Sequence, residues 1–186
     1  MSNFVATNSK VEAELKVTER SDFRRGLRES LPVALSFIPF ALFFGAQAVQ
    51  KQLSAVEVML MTGLNFAGGS EFAAVGVWTS PPQVFLIAAI TLLINSRHLL
   101  MGAALTPYLQ HLSKRKAFAA LFFMTDESWA MGLADAKRRE SVGSSPHFSL
   151  AYYLGVSLSL YLSWVIFTTV GAAFKLGNRR RDGLRL

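Results

Sequence analysis

The fold class this sequence predicts is all-α: a polytopic transmembrane helical bundle with broken or re-entrant helices. Three observations carry that reading. First, the 186-residue chain is 52% hydrophobic and contains the uncharged stretches Ser30–Gln50, Phe72–Ser96 and Ser141–Phe174, of 21, 25 and 34 residues. About 20 apolar residues suffice to cross a bilayer core, and a soluble helix of such length would need a polar face. Second, 17 of the 19 Lys and Arg fall into four clusters: before residue 30, at Lys114–Lys116, at Lys137–Arg139 and from Lys175 onward. Third, the few ionisable groups inside the apolar stretches lie beside Gly, Asn, Ser or Thr. A net charge of +7 would ordinarily suggest nucleic acid, but clustered bases between apolar runs are topological markers and lipid-headgroup contacts. The partner they imply is a lipid bilayer, and no nucleic acid.

Residues 1–29 hold five acids against six bases and read as a cytoplasmic N-terminal tail, mostly disordered. An amphipathic surface helix over 11–28, through Val11, Leu15 and Phe23, is the other reading. No basic segment followed by an apolar core opens the chain, which disfavours a cleavable signal peptide. Residues 30–174 form the transmembrane domain, and 175–186 a basic C-terminal tail.

The first span is Leu31–Val49, with Pro32 near its start, where a missing N–H costs little, and Pro39 in its middle, where a kink is expected. The second segment, Val56–Trp78, is interrupted by Ala67-Gly68-Gly69-Ser70-Glu71; paired glycines beside a carboxylate are poor material for a lipid-facing helix and predict a break. Thr79-Ser80-Pro81-Pro82 is a turn. The third segment runs from Gln83 to about Tyr108. At 1.5 Å per residue, Arg97 lies ~21 Å into a helix ~39 Å long, close to the membrane middle. The fourth, Ala117–Ala134, carries Asp126-Glu127 at its centre, so a simple span is improbable and Thr125 or Asp126 is placed to cap a new half-helix. The fifth is Phe148–Phe174, with Tyr152, Tyr153, Tyr161 and Trp164 as candidate interface anchors.

The positive-inside rule bears on how these segments cross. With the N-terminal tail inside, full crossing by every segment puts Lys114–Lys116 outside. If Val56–Trp78 and Ala117–Ala134 both dip in and return, Lys114–Lys116 and Lys137–Arg139 both fall inside. Irregular backbone at depth is tolerated only where it is buried or lines a cavity.

Ser70, Glu71, Arg97, His98, Asp126 and Glu127 are the candidate substrate- or ion-binding residues, with helix breaks at Gly68, Gly69 and Thr125. Charges inside a membrane are functional candidates by default, and discontinuous helices at the midplane build transporter sites. Arg97, or half-helix N-termini near Ser70 and Thr125, suit a carboxylate; Glu71, Asp126 or Glu127 suit an ammonium. Phe66, Phe72, Phe122, Phe123 and Trp129 would wall an aliphatic side chain. His98 is a candidate proton relay, because imidazole titrates near neutrality, with a hydrogen-bonded structural histidine as its other reading. The competing class is a non-transporting membrane scaffold or assembly subunit, in which Arg97 pairs structurally with Asp126 or Glu127. Cysteine is absent, which excludes thiolate zinc sites, disulfides and cysteine nucleophiles. The histidines at 98, 111 and 147 show no metal-ligand spacing, and no phosphate-loop, dinucleotide or nucleophile-elbow motif occurs, so neither an enzyme nor a cofactor is expected.

Three blocks, NFAGGSEF at Asn65–Phe72, NSRHLLMGAAL at Asn95–Leu105 and TDE at Thr125–Glu127, resemble in order and spacing the signature regions of the AzlC family. The similarity spans roughly residues 20–174. The resemblance implies a multi-pass permease of the bacterial cell (inner) membrane, exporting valine, leucine or related amino acids. It also implies a small hydrophobic AzlD-type partner subunit. Glu71 stands where the family often has Gln, which adds a charge and bears on ion coupling. The family continues for about two further hydrophobic segments, so the tail KLGNRRRDGLRL reads as a shortened or frameshifted end.

Overall fold

The computed structural model describes the backbone of residues 2–143 and 148–183 and the side chains of residues 18–143 and 148–178. The apolar spacing at Val11 and Leu15, and the end of the basic tail beyond residue 178, lie outside those side chains. Among the described residues all regular structure is α-helical: α1 (Ser2–Gln50), α2 (Ala55–Asn65), α3 (Gly68–Gly76), α4 (Val84–Asn95), α5 (Arg97–Leu109), α6 (Lys114–Phe122), α7 (Asp126–Ser141) and α8 (Leu150–Gly183). Among the described residues three stretches are long and apolar enough to cross a membrane: Thr18–Gln50, Val84–Leu109 and Leu150–Asn178. Along residues 84–100 most large side chains are exposed, Phe85 to 93% and Leu99 to 77%, whereas Leu105 and Leu109 are buried. That surface is compatible with lipid as its solvent.

Two of the predicted segments are each split into two short helices. The second becomes α2 and α3, and the fourth becomes α6 and α7. At 1.5 Å per residue none of the four exceeds about 24 Å, short of the ~30 Å apolar core. The third segment pauses only at Ser96, which keeps right-handed helical angles (φ −56°, ψ −26°). The first segment differs from expectation at its start: α1 is helical from Ser2, so Pro32 lies inside the helix and residues 18–29 extend the span where a mostly disordered tail was expected.

The chain divides into two compact units, 1–31 with 105–159 and 32–104 with 160–186. In the first, the N-terminal part of α1 packs on the start of α8 through glycines. A Cβ at Gly26 would lie 2.2 Å from Tyr152 O, and one at Gly155 2.3 Å from Phe23 O, so only glycine allows these backbones to approach. Tyr153 is fully buried and donates its hydroxyl to Ala120 O (3.1 Å), joining α8 to α6. Its ring also covers Gly132 of α7, where a Cβ would sit 2.7 Å from Tyr153 Cδ2.

At one end of this unit lies a charged cluster. Asp135, 5% exposed, accepts from Arg25 Nη1 and Arg138 Nη2 on Oδ1 and from Arg139 Nε on Oδ2, each at 2.8 Å. Arg139 Nη2 and Ser149 Oγ both donate to Asp22 Oδ2, at 2.6 and 2.7 Å. Tyr152 donates to Glu29 Oε2 (2.7 Å) while Arg25 lies 4.1 Å above the Tyr152 ring. Burial alone would push the Asp135 carboxyl up. Hydrogen bonds from Arg25, Arg139 and Arg138 outweigh it and hold that carboxyl below the ordinary carboxylate range.

In the second unit, α1 and α8 run parallel, since Ser163 donates to Ala34 O (2.8 Å) and the contact continues to Gly45 and Ala172. A Cβ at Gly45 would lie 2.0 Å from Thr168 O, and one at Gly171 2.3 Å from Leu42 O. The Ser163 contact falls one turn before Pro39, which cannot donate an amide to its own helix. Beside this contact, Phe44, Phe72 and Trp164 form an aromatic core, with Phe44 4.9 Å from Phe72 and 5.9 Å from Trp164 between centroids.

Candidate functional site

The second unit contains a short helical hairpin. Ser54 caps α2 with Glu57 in a reciprocal capping box, the Ser54 N–H donating to Glu57 Oε2 at 2.7 Å and the Glu57 N–H to Ser54 Oγ at 3.2 Å. The helix ends where Phe66 turns left-handed (φ 42°, ψ 49°), an unfavourable conformation for a bulky residue. Burial of the Phe66 ring offsets it: the residue is 4% exposed and packs edge-on to Tyr161 at 4.9 Å, while Tyr161 donates to Gly63 O (2.9 Å). Helix α3 then starts at Gly68. At its far end it returns to the beginning of the hairpin, because Lys51 Nζ donates to Gly76 O and Trp78 O, both at 3.3 Å.

The break therefore falls at Phe66-Ala67, immediately before the predicted Gly68 and Gly69. Gly68 has another job. A Cβ there would lie 3.2 Å from the Trp164 ring, so the glycine lets the indole sit against the first turn of α3. Gly69 faces Arg97, whose Nη2 lies 3.9 Å from where its Cβ would be.

Glu71 sits in this first turn, 1% exposed. Its Oε1 accepts the Ala67 N–H (3.1 Å) and its Oε2 accepts the Trp164 indole N–H (2.7 Å). Ser70, also buried, donates to Ala67 O (2.9 Å) and receives Asn65 Nδ2 (3.1 Å). The Ala67 N–H and carbonyl at the break are thus satisfied by Glu71 and Ser70, and Glu71 is held in turn by Trp164.

Alongside Glu71 lies a cavity of about 530 Å³. Glu57, Asn65, Glu71 and Thr91 supply its polar groups, and Leu53, Leu60, Met61, Leu64, Trp78 and Ile87 most of its apolar wall. The size falls within the few hundred to a thousand Å³ usual for small-molecule sites. The wall is aliphatic with one indole, which corrects the sequence reading. Phe66 and Phe72 pack on Tyr161 and on Phe44 with Trp164, and Phe122, Phe123 and Trp129 belong to the other unit. Glu57, Asn65 and Thr91 were missed as lining residues; the pattern Ser54-x-x-Glu57 was the available signal, as a capping box.

The remaining candidates divide between the units. Arg97 and His98 open α5 in the second unit, half-buried, and His98 Nδ1 donates to Asn95 O at 3.1 Å. Thr125, Asp126 and Glu127 lie in the first unit, where Thr125 is the N-cap of α7. Its Oγ1 accepts the Ser128 N–H (3.2 Å), and Ser128 Oγ accepts the Thr125 N–H (2.8 Å). Asp126 and Glu127 occupy the first turn, where negative charge complements the helix dipole.

The family described as AzlC protein matches residues 32–176. The chain is 29% identical over 151 residues to the Inner membrane protein YgaZ of Escherichia coli, covering 81% of this chain and 60% of that one. It is 32% identical over 150 residues to an uncharacterized membrane protein of Archaeoglobus fulgidus, covering 80% and 61%. With the Branched-chain amino acid transport protein AzlC of Bacillus subtilis it shares 25% over 153 residues, covering 82% and 57%. The chain thus spans about three fifths of the length of these curated relatives. No solved structure matches. A family match over most of the chain agrees with the three membrane-length helices and the three motif blocks: this membrane protein belongs to the AzlC family.

Proposed function

We propose that the protein is the permease subunit of a secondary transporter that exports small aliphatic amino acids of the branched-chain type. One observation carries the reading: a buried carboxylate, Glu71, held at a helix break beside an apolar cavity of about 530 Å³. Broken helices place backbone dipoles and side chains against a solute at membrane depth. Aliphatic walls suit the side chain of leucine or valine. The name of the Bacillus subtilis relative, a branched-chain amino acid transport protein, supports the same class of solute.

In this reading Arg97 and His98 in the second unit, and Asp126 and Glu127 in the first, are the further candidate binding and coupling residues, with protons as the coupling ion and His98 as a relay. An AzlD-type small hydrophobic subunit is the partner, and the N-terminus is cytoplasmic in a bacterial inner membrane. The test is amino acid efflux from dipeptide-loaded cells, with and without a small partner subunit. Arg97→Ala and Asp126→Asn are expected to abolish efflux while the protein stays in the membrane at wild-type abundance. Normal efflux by both variants removes the site. Loss of the folded protein, in place of selective loss of efflux, favours the scaffold reading, because an unpaired buried charge is strongly destabilising.

A further inference from the structure

The geometry points to a cation-selective cavity: the space beside Glu71 takes a primary alkylammonium, with the aliphatic group against the leucines and the carboxylate of any zwitterion left outside. This deepens the transport reading and rests on it for the identity of the natural ligand.

The charge on the wall is of one sign. Glu57 and Glu71 both line the cavity, and among the described residues no Lys, Arg or His does. Lys51 meets the carbonyls of Gly76 and Trp78 at the far end of α3, and Arg97 lies against Gly69 in its first turn without lining the cavity. Glu71 retains acceptor capacity. The two carboxyl oxygens of Glu71 offer about four lone-pair directions, and two are taken, by Ala67 N–H and Trp164 Nε1–H. The indole and backbone donors hold the carboxylate rigidly, so it presents a fixed acceptor to a ligand. The aliphatic wall lowers the local dielectric and strengthens attraction for an ammonium. It equally disfavours a carboxylate, which would face Glu57 and Glu71 with no Lys, Arg or His among the described lining residues.

The two carboxylates also differ in setting. Glu71 is buried to 1%, whereas Glu57 is exposed and tied to Ser54 by the capping box. Glu57 therefore marks the open end, where it attracts the cation, and Glu71 the inner end, where the ammonium docks. Asn65 Oδ1 and Thr91 Oγ1 are the remaining side-chain acceptors on the wall.

The experiment uses the full 186-residue chain in phosphatidylglycerol nanodiscs, so that no lipid amine competes. Binding of radiolabelled 3-methylbutylamine is followed by scintillation proximity. Saturable binding is expected, displaced by leucine amide at least as well as by leucine and not by 4-methylpentanoate. Glu71→Gln is expected to weaken amine binding at least tenfold and Glu57→Gln two- to threefold. Leu60→Trp, which fills the cavity from its half-exposed wall, is expected to abolish binding with unchanged circular dichroism, and decides the matter if Glu71→Gln does not fold. Equal displacement by 4-methylpentanoate overturns the assignment, as does wild-type affinity in folded Leu60→Trp. Leucine efflux without saturable amine binding removes this cavity and leaves the transport reading. Amine binding with these variant effects but no efflux of any amino acid removes the transport reading and leaves the cavity.

Discussion

Trp164 and Glu71, 93 residues apart, are joined by a 2.7 Å hydrogen bond from the indole Nε1–H to Oε2 inside a ring of phenylalanines. It ties α8 to the break between α2 and α3. A side-chain hydrogen bond contributes about 0.5–1.5 kcal/mol net, and a buried acceptor that loses its donor is penalised by about 1–3 kcal/mol. Trp164→Phe is therefore expected to lower stability by about 2–3 kcal/mol in thermal unfolding in micelles. In a Glu71→Gln background the same substitution is expected to cost less, leaving a coupling energy of about 1–2 kcal/mol from the double-mutant cycle. A coupling energy near zero would show that the two side chains act independently.

The Asp135 cluster sets a different expectation, in pH. Asp135 has its carboxyl held below the ordinary range once the three guanidinium bonds outweigh burial. A depressed folded-state pKa contributes stability that is fully present above the unfolded value, about 3.9, and is lost as pH falls through the folded value. Stability from this group is thus level between pH 5 and 8 and declines only below about pH 4. Asp135→Asn is expected to cost about 2–4 kcal/mol at pH 7, since it leaves Arg25 and Arg139 without their main partner, and to flatten the acid limb. Unfolding midpoints from pH 3 to 8 for both proteins give the comparison.

The α1–α8 glycines carry a steric prediction. A Cβ at Gly45 would meet Thr168 O at 2.0 Å, and backbone cannot rotate away as a flexible side chain can. Gly45→Ala is expected to cost at least about 2 kcal/mol and to reduce membrane abundance, with Gly171→Ala similar. Gly76→Ala is the control, because nothing lies within 4 Å of its Cβ position, and it is expected to stay within about 0.5 kcal/mol of wild type. Abundance of a fluorescent C-terminal fusion, with size-exclusion profiles, separates the three.

The return of α3 to Lys51 favours a hairpin that enters and leaves the membrane on one face. The chain has no cysteine, so single thiols report cleanly. Gln52→Cys and Ser80→Cys are expected to react from the same side with an impermeant maleimide in intact cells. Labelling from opposite sides would mean that 56–78 crosses.

Much of the local architecture was legible because it depends on neighbours in sequence. Thr125 announced an N-cap beside two acids, and α7 begins there. The Gly68-Gly69 pair marked the break to within two residues, although the left-handed residue is Phe66 and Gly68 makes room for Trp164. What spacing does not encode is which distant side chain completes a pair. Asp135 gave no hint of Arg25, 110 residues away, and Trp164 read as an interface anchor while it is a donor to Glu71. The aromatic wall failed for a related reason: large rings were available to pack on one another, which left leucines to face the cavity. The start of α1 was misread because mixed charge resembles a solvated tail, whereas Asp22, Arg25 and Glu29 have partners on α7 and α8.

Those partners change what the finished surface offers to lipid. In the cluster around Asp135, three guanidiniums, Arg25, Arg138 and Arg139, meet three acids, Asp22, Glu29 and Asp135. These six side chains carry no net charge together. The positive-inside rule is a count of Lys and Arg in sequence, so Arg138 and Arg139 enter it whatever pairs they form after folding. After folding, their charge is returned to the protein's own acids. An anionic phospholipid meeting the Lys137–Arg139 segment would find Lys137 as the cation outside this neutral group. One stretch of sequence would thus guide insertion early and recruit few headgroups late.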